Sequence, residues 1–280
     1  MYNNKSLIGN FRGEGIYDRY QWENDANGYL FSSQTLRNSS KEKKLEFEQL
    51  RDKWQHNEIV NNIVQREYLN KTSLLLLGFA LELFLKSGFL ALYIGSPKET
   101  FDKDIKSKFN HYLDKISKEL CLDLCKDEYD MLIKMTNFIK RYIKYPLEIN
   151  INEKYFEKYN ERAEEIWDDN KYDSWIALYE KIKQQVKIID HCTEDVMFGG
   201  YWEINSEEYI HYRRGGKLPP IIKTNCNIKL DKKTPETKSF ILKNIDHIAY
   251  KIYIEKEWNN TRVYKITTGE SPSLKLVPNI

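Results

Sequence analysis

The sequence predicts a mainly α-helical protein, an antiparallel helical bundle with a small β-rich appendage at its carboxyl end. Three observations predict this class. Apolar residues recur at helical spacing through the first two thirds of the chain, one long apolar run lies among them, and glycine and proline pairs break the pattern after Asp190. We therefore expect a helical bundle over residues 1–190 and a basic, β-rich appendage over residues 191–280.

The longest predicted helix contains the most apolar stretch of the chain, Leu74 to Gly95, and begins near Asn61. Glu82 and Lys86 lie near the middle of this stretch, and a charge at the centre of a bilayer costs about 2.5–3.5 kcal/mol. We therefore expect a helix surrounded by other helices rather than a membrane span. The two charges are four residues apart and share one helix face, either as an internal ion pair or as part of a working site.

Six further helices are predicted around the long one, with short connections. A Ser39/Ser40 start signal separates the first two, and Pro146 ends the fourth. The predicted ranges are Asp18–Arg37, Lys41–Gln55, Lys108–Leu120, Lys126–Pro146, Asn152–Asp169 and Tyr172–Asp190.

His111 is the candidate third member of a cluster with Glu82 and Lys86. Gly95 and Pro97 predict a loop after the long helix, so that the helix carrying His111 packs back antiparallel against it. A carboxylate beside a lysine and a histidine shifts the proton affinity of each group. Such a cluster marks either a site or a buried polar network that sets helix register.

The carboxyl-terminal third shows alternating patterns, and Lys and Arg outnumber Asp and Glu from Tyr201 onward. The alternation predicts strands at Ile228/Leu230, at Ile248–Ile254 and at Val263–Ile266, with Trp258–Arg262 as a hairpin turn. The densest basic feature is a glycine-hinged loop. It is either a solvated turn or a surface that binds phosphate and stacks a base through Arg213, Arg214, Lys217 and Tyr212.

The order of several residues resembles the HEPN superfamily of prokaryotic helical domains, over roughly Gln21 to Leu147. The matching positions are Gly78, Ala80, Glu82, Leu85, Lys86, His111, Leu113, Tyr145 and Pro146. The resemblance implies a helical bundle that dimerises. It also implies a toxin or antiviral effector, because many members of the superfamily cut RNA.

The signature of the RNA-cutting members is an Arg followed, after four to six residues, by a His on a late helix. In that chemistry the Arg holds the scissile phosphate and the His acts as acid or base. Here Arg141 lies on the expected helix with no His within six residues, and Lys144 stands where related proteins have Arg. The spacing does occur at Arg51 and His56, on an early helix. The alternative catalytic set is Glu82, Lys86, His111 and Arg141.

Composition and cysteine usage restrict the remaining classes. The net charge is +2, and the four cysteines are irregularly spaced, which predicts neither a disulfide framework nor a zinc site. We see no signal peptide and expect a cytoplasmic protein with no metal and no cofactor.

Two functional interpretations remain open. One is a HEPN-like toxin or antiviral-defence effector with RNA as its partner, working as a metal-independent endoribonuclease homodimer. The other is a non-catalytic HEPN-like dimerisation or adaptor module that binds a protein partner or nucleic acid. Neither interpretation involves a membrane.

Overall fold

Helices occupy most of the described chain, and a small five-stranded sheet lies at its carboxyl end. The computed structural model describes residues 7–9, 13–53, 56–142, 163–190, 194–232, 234–267 and 272–277. The helices are α1 Arg19–Asp52, α2 His56–Tyr93, α3 Lys98–Ser107, α4 Leu113–Glu119, α5 Lys126–Asn137, α6 Asp169–Lys187, α7 Pro235–Lys243 and α8 Ile248–Glu257. The strands are β1 Phe198–Glu203, β2 Tyr209–Arg214, β3 Ile221–Thr224, β4 Arg262–Thr267 and β5 Ser273–Leu276. The predicted fold class is confirmed in this form, as a mainly helical protein with a small carboxyl-terminal sheet.

Helix α1 is one continuous helix of 34 residues. Its N-cap is Asp18, whose carboxylate accepts a hydrogen bond from the backbone N–H of Tyr20. The predicted break at Ser39/Ser40 is wrong. Ser40 is buried inside the helix, because α1 packs along α2 over most of its length and this packing outweighs the capping preference of serine.

Helix α2 confirms the prediction of one long helix and extends it back to His56. Its first half is largely exposed, whereas almost every side chain from Ser73 onward is buried. By length and composition α2 could cross a membrane, and it is the one such helix in the described chain. However, 72% of its most apolar window is buried inside the protein, as expected for a core helix.

Helix α2 ends at a glycine with a left-handed backbone. Gly95 has φ +79°, its N–H donates to the carbonyl of Ile8, and a Cβ atom at this position would overlap the ring of His211 on β2. This close approach brings the sheet against the end of α2.

The connection after α2 differs from the predicted loop, because α3 occupies it. Pro97 is the N-cap of α3, and Thr100, Phe101, Asp104 and Ile105 are buried on one face. Proline ends one helix but is also compatible with the first turn of the next, which the prediction overlooked. Helix α4 is shorter than predicted, and His111 lies in the turn before it rather than on a helix.

Helices α5 and α6 match predicted helices. Helix α5 continues as a π-helical turn over Phe138–Tyr142, and α6 covers most of the predicted range from Tyr172. Within the predicted helix Asn152–Asp169, residues 163–167 are helical. The rest of that prediction before residue 163, together with Pro146, lies outside the described residues.

The sheet has the order β1-β2-β3-β4-β5, and all pairs are antiparallel except β3 with β4. One face contributes Tyr209, Ile221 and Tyr264 to the core that the bundle helices build. The opposite face packs Ile210 and Ile222, with other residues, against α7 and α8. The sheet is therefore a middle layer between the bundle and two additional helices.

The predicted strand over Ile248–Ile254 is wrong, because this segment is helix α8. Strands β3 and β4 are parallel, and a connection between parallel strands must cross over the sheet, usually through a helix. Only Ile254 of this helix is buried, while Ile248 and Ile252 are exposed. Trp258–Arg262 consequently leads from α8 into β4 instead of forming a hairpin turn, and Ile228/Leu230 form no strand.

Replacing Gly95 with alanine is expected to destabilise the protein by about 2–4 kcal/mol. The left-handed backbone contributes about 1–2 kcal/mol and the overlap with His211 the remainder. Urea unfolding measures this change. The matched control is Gly28→Ala on an exposed part of α1, where a Cβ meets nothing within 4 Å and a gain of about 0.5–1 kcal/mol is expected. Equal stability of the two variants would contradict the role given to Gly95.

Candidate functional site

The structure brings Glu82, Lys86 and His111 together, with the carboxylate of Glu82 at the centre. Lys86 Nζ donates to Glu82 Oε1 at 2.5 Å, and His111 Nδ1 lies 2.8 Å from Glu82 Oε2. Glu82 and Lys86 meet because they are one turn apart on α2. His111 reaches them from the turn before α4, whose first residue, Leu113, donates its N–H to Thr136 Oγ1 on α5.

The three side chains differ in their exposure to solvent. The side chains of Glu82 and Lys86 are 6% and 11% exposed, whereas that of His111 is 31% exposed. A buried carboxylate next to Nδ1 favours the tautomer that carries its proton there. Nε2 is then the ring nitrogen left to accept or donate a proton toward solvent.

Four residues near this cluster were not predicted as site residues. The ring of Trp22 on α1 lies 5.8 Å from Lys86 Nζ. Two ammonium groups lie close to the ring of Tyr112, with Lys115 Nζ 3.8 Å and Lys140 Nζ 3.2 Å from its centroid. A hydrogen bond with Lys140, and then the charges of Lys140 and Lys115, lower the pKa of the Tyr112 phenol. We name Lys86, His111, Tyr112, Lys115 and Lys140 the His111 patch.

The sequence contained a signal for one of these residues only. Lys115 follows Tyr112 by three residues at the start of a helix, a spacing that places the two side chains side by side. Lys140 and Trp22 belong to other helices, α5 with its π-helical continuation and α1. Their positions depend on helix packing and leave no local pattern.

The Arg51 and His56 pair lies at the opposite end of the hairpin that α1 and α2 form. Arg51 is exposed in the last turn of α1 near Asp52, and His56 is the first residue of α2. Glu82 follows His56 by 26 residues on the same helix, a distance of about 39 Å at 1.5 Å per residue. The pair and the His111 patch are therefore separate within one chain. Arg141 lies in the π-helical turn, and its side chain is outside the described part of the structure.

The prediction of a solvent-facing basic loop is wrong for Arg213 and Tyr212. Arg213 is 1% exposed and donates through Nη2 to Ile189 O at 3.0 Å and to Asp190 Oδ1 at 2.5 Å. Tyr212 is fully buried against α7 and α8. The reason is the two-residue period of a strand, which sends alternate side chains of β2 into the two cores that cover the sheet.

The other two residues of the predicted loop are not buried in this way. Arg214 makes a two-pronged ion pair with Glu257, with N–O distances of 2.6–2.9 Å. Lys217 is exposed. One partly paired and one exposed cation do not form the cluster that the sequence suggested.

Three cations instead cap the carboxyl ends of helices. Lys223 on β3 is fully buried and donates to the carbonyl of Ile94 just after α2. Arg213 donates to Ile189 O and Arg19 to Val186 O at the end of α6. Helix ends leave carbonyls without intrahelical partners and carry partial negative charge. The contacts of Lys223 and Arg213 therefore join the sheet to the bundle, and that of Arg19 joins α1 to α6.

His211 lies beside these cations and is almost completely buried. Burial lowers its pKa well below the usual value, and the charges of Lys223 and Arg213 act in the same direction. Burial, and then Arg213, likewise lower the pKa of Lys223. His211 is therefore a neutral packing residue at neutral pH.

No group of three or more His, Cys, Asp or Glu residues in the described ranges is placed to hold a metal ion. Cys121 and Cys125 are exposed free thiols, and Cys226 is buried. Cys192 lies outside the described residues.

Comparisons with known proteins give no relative. No family model matches the chain, and searches of curated proteins and of solved structures likewise found no match. The HEPN resemblance thus depends on the sequence motif alone, and function must be argued from the site.

The stability of the protein is expected to fall on acidification because of His211. In the unfolded state His211 binds a proton near pH 6.5, whereas in the folded state it does so only at lower pH. The stability that is present above pH 6.5 is therefore lost progressively as the pH falls below this value toward the lower pKa of the folded state. Between pH 6.5 and pH 5.5 the wild type should lose about 1 kcal/mol more than His211→Gln does. Urea unfolding at the two pH values measures the difference, and parallel losses would show that His211 does not carry it.

Proposed function

We propose that this chain is a HEPN-like toxin or antiviral-defence effector that cleaves RNA without a metal ion, with His111 as its general acid or base. The observation that carries the proposal is the partly exposed imidazole of His111, which is held through Nδ1 by the buried carboxylate of Glu82. Histidine changes its protonation near neutral pH, as acid–base chemistry at that pH requires.

RNA supplies its own nucleophile for this reaction. The 2′-hydroxyl attacks the adjacent phosphorus, the O2′–P bond forms, and the P–O5′ bond breaks. The 2′ proton must be taken up, and the leaving 5′ oxygen must receive a proton. Neutral His111 can take the 2′ proton at Nε2, and the imidazolium that this forms can give the proton to the leaving 5′ oxygen. Glu82 holds the imidazole in one orientation throughout, because its carboxylate lies 2.8 Å from Nδ1.

The cations of the His111 patch fit the phosphates of such a substrate. Lys115 and Lys140 flank Tyr112, the residue that follows His111, and Lys86 shares Glu82 with the imidazole. Ammonium groups bind the phosphate backbone and stabilise the charge that develops during cleavage. The partly exposed Trp22 ring near Lys86 offers a face on which a base can stack.

The packing of α2 also fits the motif on which the family resemblance depends. A Cβ atom at Gly78 would lie 2.9 Å from side-chain atoms of both Ile139 and Met135, so glycine allows the helix that follows α4 to approach α2 closely. Glu82 is one turn further along the same helix. The Gly and Glu of the motif thus have separate physical roles, one in packing and one in holding His111.

We expect the purified protein to cleave a labelled single-stranded RNA in the presence of EDTA. His111→Gln should lower the rate by about 10²–10⁴-fold, because a general acid–base group contributes that much. A 2′-deoxy substitution at the cleaved position should stop the reaction. The matched control is His56→Gln, an exposed histidine about 39 Å away along α2, which should leave the rate unchanged.

Binding can be separated from chemistry with Lys115→Met plus Lys140→Met. This double variant should flatten the salt dependence of RNA binding by about 1.4 in log–log slope, about 0.7 for each phosphate that a lysine no longer neutralises. RNA that stays intact with the wild-type protein, or equal rates for wild type and His111→Gln, would refute the catalytic role.

A second candidate function, a non-catalytic dimerisation module, is favoured by the first half of α2. Val60, Ile63, Val64 and Tyr68 follow one another at helical spacing, and each is at least 40% exposed. In the described chain this half of α2 packs mainly on α1. A second copy laid against this hairpin would form a four-helix arrangement and bury the apolar stripe.

If this interpretation holds, the protein sediments as a dimer, and Val64→Lys shifts it toward monomer because a charge then enters the interface. Ile133→Lys is the matched control, since Ile133 is similarly exposed on α5. A wild-type monomer at all concentrations reached in analytical ultracentrifugation would reject the dimer.

A further inference from the structure

A pocket of about 800 Å³ opens where the helical bundle meets the sheet. Leu90 and Ala91, near the end of α2, and Ile94, just after it, form its apolar floor. The start of α1, the end of α6 and the approach to β1 form its walls. None of Glu82, Lys86 and His111 lines it. It is therefore a second candidate site, and nothing in its chemistry depends on RNA cleavage.

Hydrogen bonds hold the walls of this pocket in place. Tyr17 donates its hydroxyl to Asp102 at 2.7 Å. Arg19 donates to Glu23 at 3.1 Å, to Asp190 at 2.7 Å and to the carbonyl of Val186 at 2.5 Å. Side chains fixed before a ligand arrives lose little freedom when it binds, which favours affinity.

The charges around the pocket are balanced. Among the described residues, two basic groups, Arg19 and Lys187, line it together with three acidic groups, Asp18, Glu23 and Asp190. The buried Arg213 does not line the pocket but pairs with Asp190 and so offsets the third acidic charge, and Arg19 is also paired with Asp190. A polyanion such as the RNA backbone therefore gains little electrostatic attraction in this pocket. A charged small molecule would lose its hydration on binding, and no excess of opposite charge would compensate that loss.

The remaining surface suits a flat ring. Tyr17 and Tyr20 contribute aromatic side chains to the lining, and hydrogen bonds to Asp190 and Val186 hold the planar guanidinium group of Arg19 in the wall. Aromatic rings pack favourably on other rings and on guanidinium groups. The volume is within the range of about 300–1,000 Å³ that small-molecule sites occupy.

We propose that this pocket binds an uncharged, planar aromatic small molecule of two or three fused rings. The ring system lies on the floor that Leu90 and Ala91 provide, next to Arg19 and Tyr17. Because the walls come from α1, α2, α6 and β1, a bound ligand contacts both the bundle and the sheet and stabilises their contact.

The test uses three probes with one ring system, namely indole, indole-3-carboxylate and tryptamine, in ligand-observed NMR titrations of the full chain. Indole should bind saturably and at least fivefold more tightly than either charged probe. Ala91→Trp fills the floor and should weaken indole binding at least tenfold. Ala177→Trp, on an exposed part of α6, is the matched control and should leave binding unchanged.

A second variant guards against misfolding of Ala91→Trp, because Ala91 is buried. Val196 is 68% exposed at the pocket rim, so Val196→Trp leaves the core intact and should also weaken indole binding. The proposal is overturned if indole does not saturate, if a charged probe binds as tightly as indole, or if indole binds Val196→Trp as tightly as the wild type. RNA cleavage decides none of these outcomes, so the two proposals stand or fall separately.

Discussion

The position of the sheet on the bundle depends on how α2 ends and on which groups cap its carboxyl-terminal carbonyls. Gly95 turns the chain with a positive φ, and the two carbonyls at this turn accept hydrogen bonds from the sheet, Ile94 O from Lys223 and Gly95 O from Tyr209. Lys223 is fully buried, so losing its acceptor would leave an unpaired polar group at a cost of several kcal/mol. The register of β2 and β3 on the bundle follows from these hydrogen bonds.

The same helix also fixes the position of Glu82, the carboxylate that holds His111. From Ser73 to its end α2 is buried on nearly all sides, so Glu82 is fixed by helix packing before any polar contact forms. An unpaired buried carboxylate is costly, and the two groups that compensate it come from α2 itself and from the turn before α4. The orientation of the His111 imidazole is thus determined by the core.

Sequence patterns predicted the structure correctly where it depends on the spacing of residues within one element. They failed where it depends on packing between elements that are distant in sequence. The long helix α2, helix α6 and the Glu82–Lys86 pair follow from spacing within one helix. The continuity of α1 through Ser40, the helix α8 and the burial of Arg213 depend on partners far away in sequence. A strand that is covered on both faces can bury a basic side chain if the end of a helix supplies hydrogen-bond acceptors. No pattern in the sequence of the strand itself indicates that such acceptors are present. The contact between Lys140 and Tyr112 was likewise not predicted, because it depends on the packing of different elements.

Two clusters in the chain share one composition, a carboxylate between two bases, yet they differ in what the bases do. On Asp190, both Arg19 and Arg213 also donate to carbonyls at the end of α6, so the cluster joins structural elements. On Glu82, neither Lys86 nor His111 donates to a backbone carbonyl within the described residues, and the imidazole is 31% exposed. Lys86 and His111 therefore compensate the buried charge of Glu82 without closing a helix end. The acid–base role that we propose for Nε2 requires this combination, an imidazole that is held at Nδ1 and remains partly exposed to solvent.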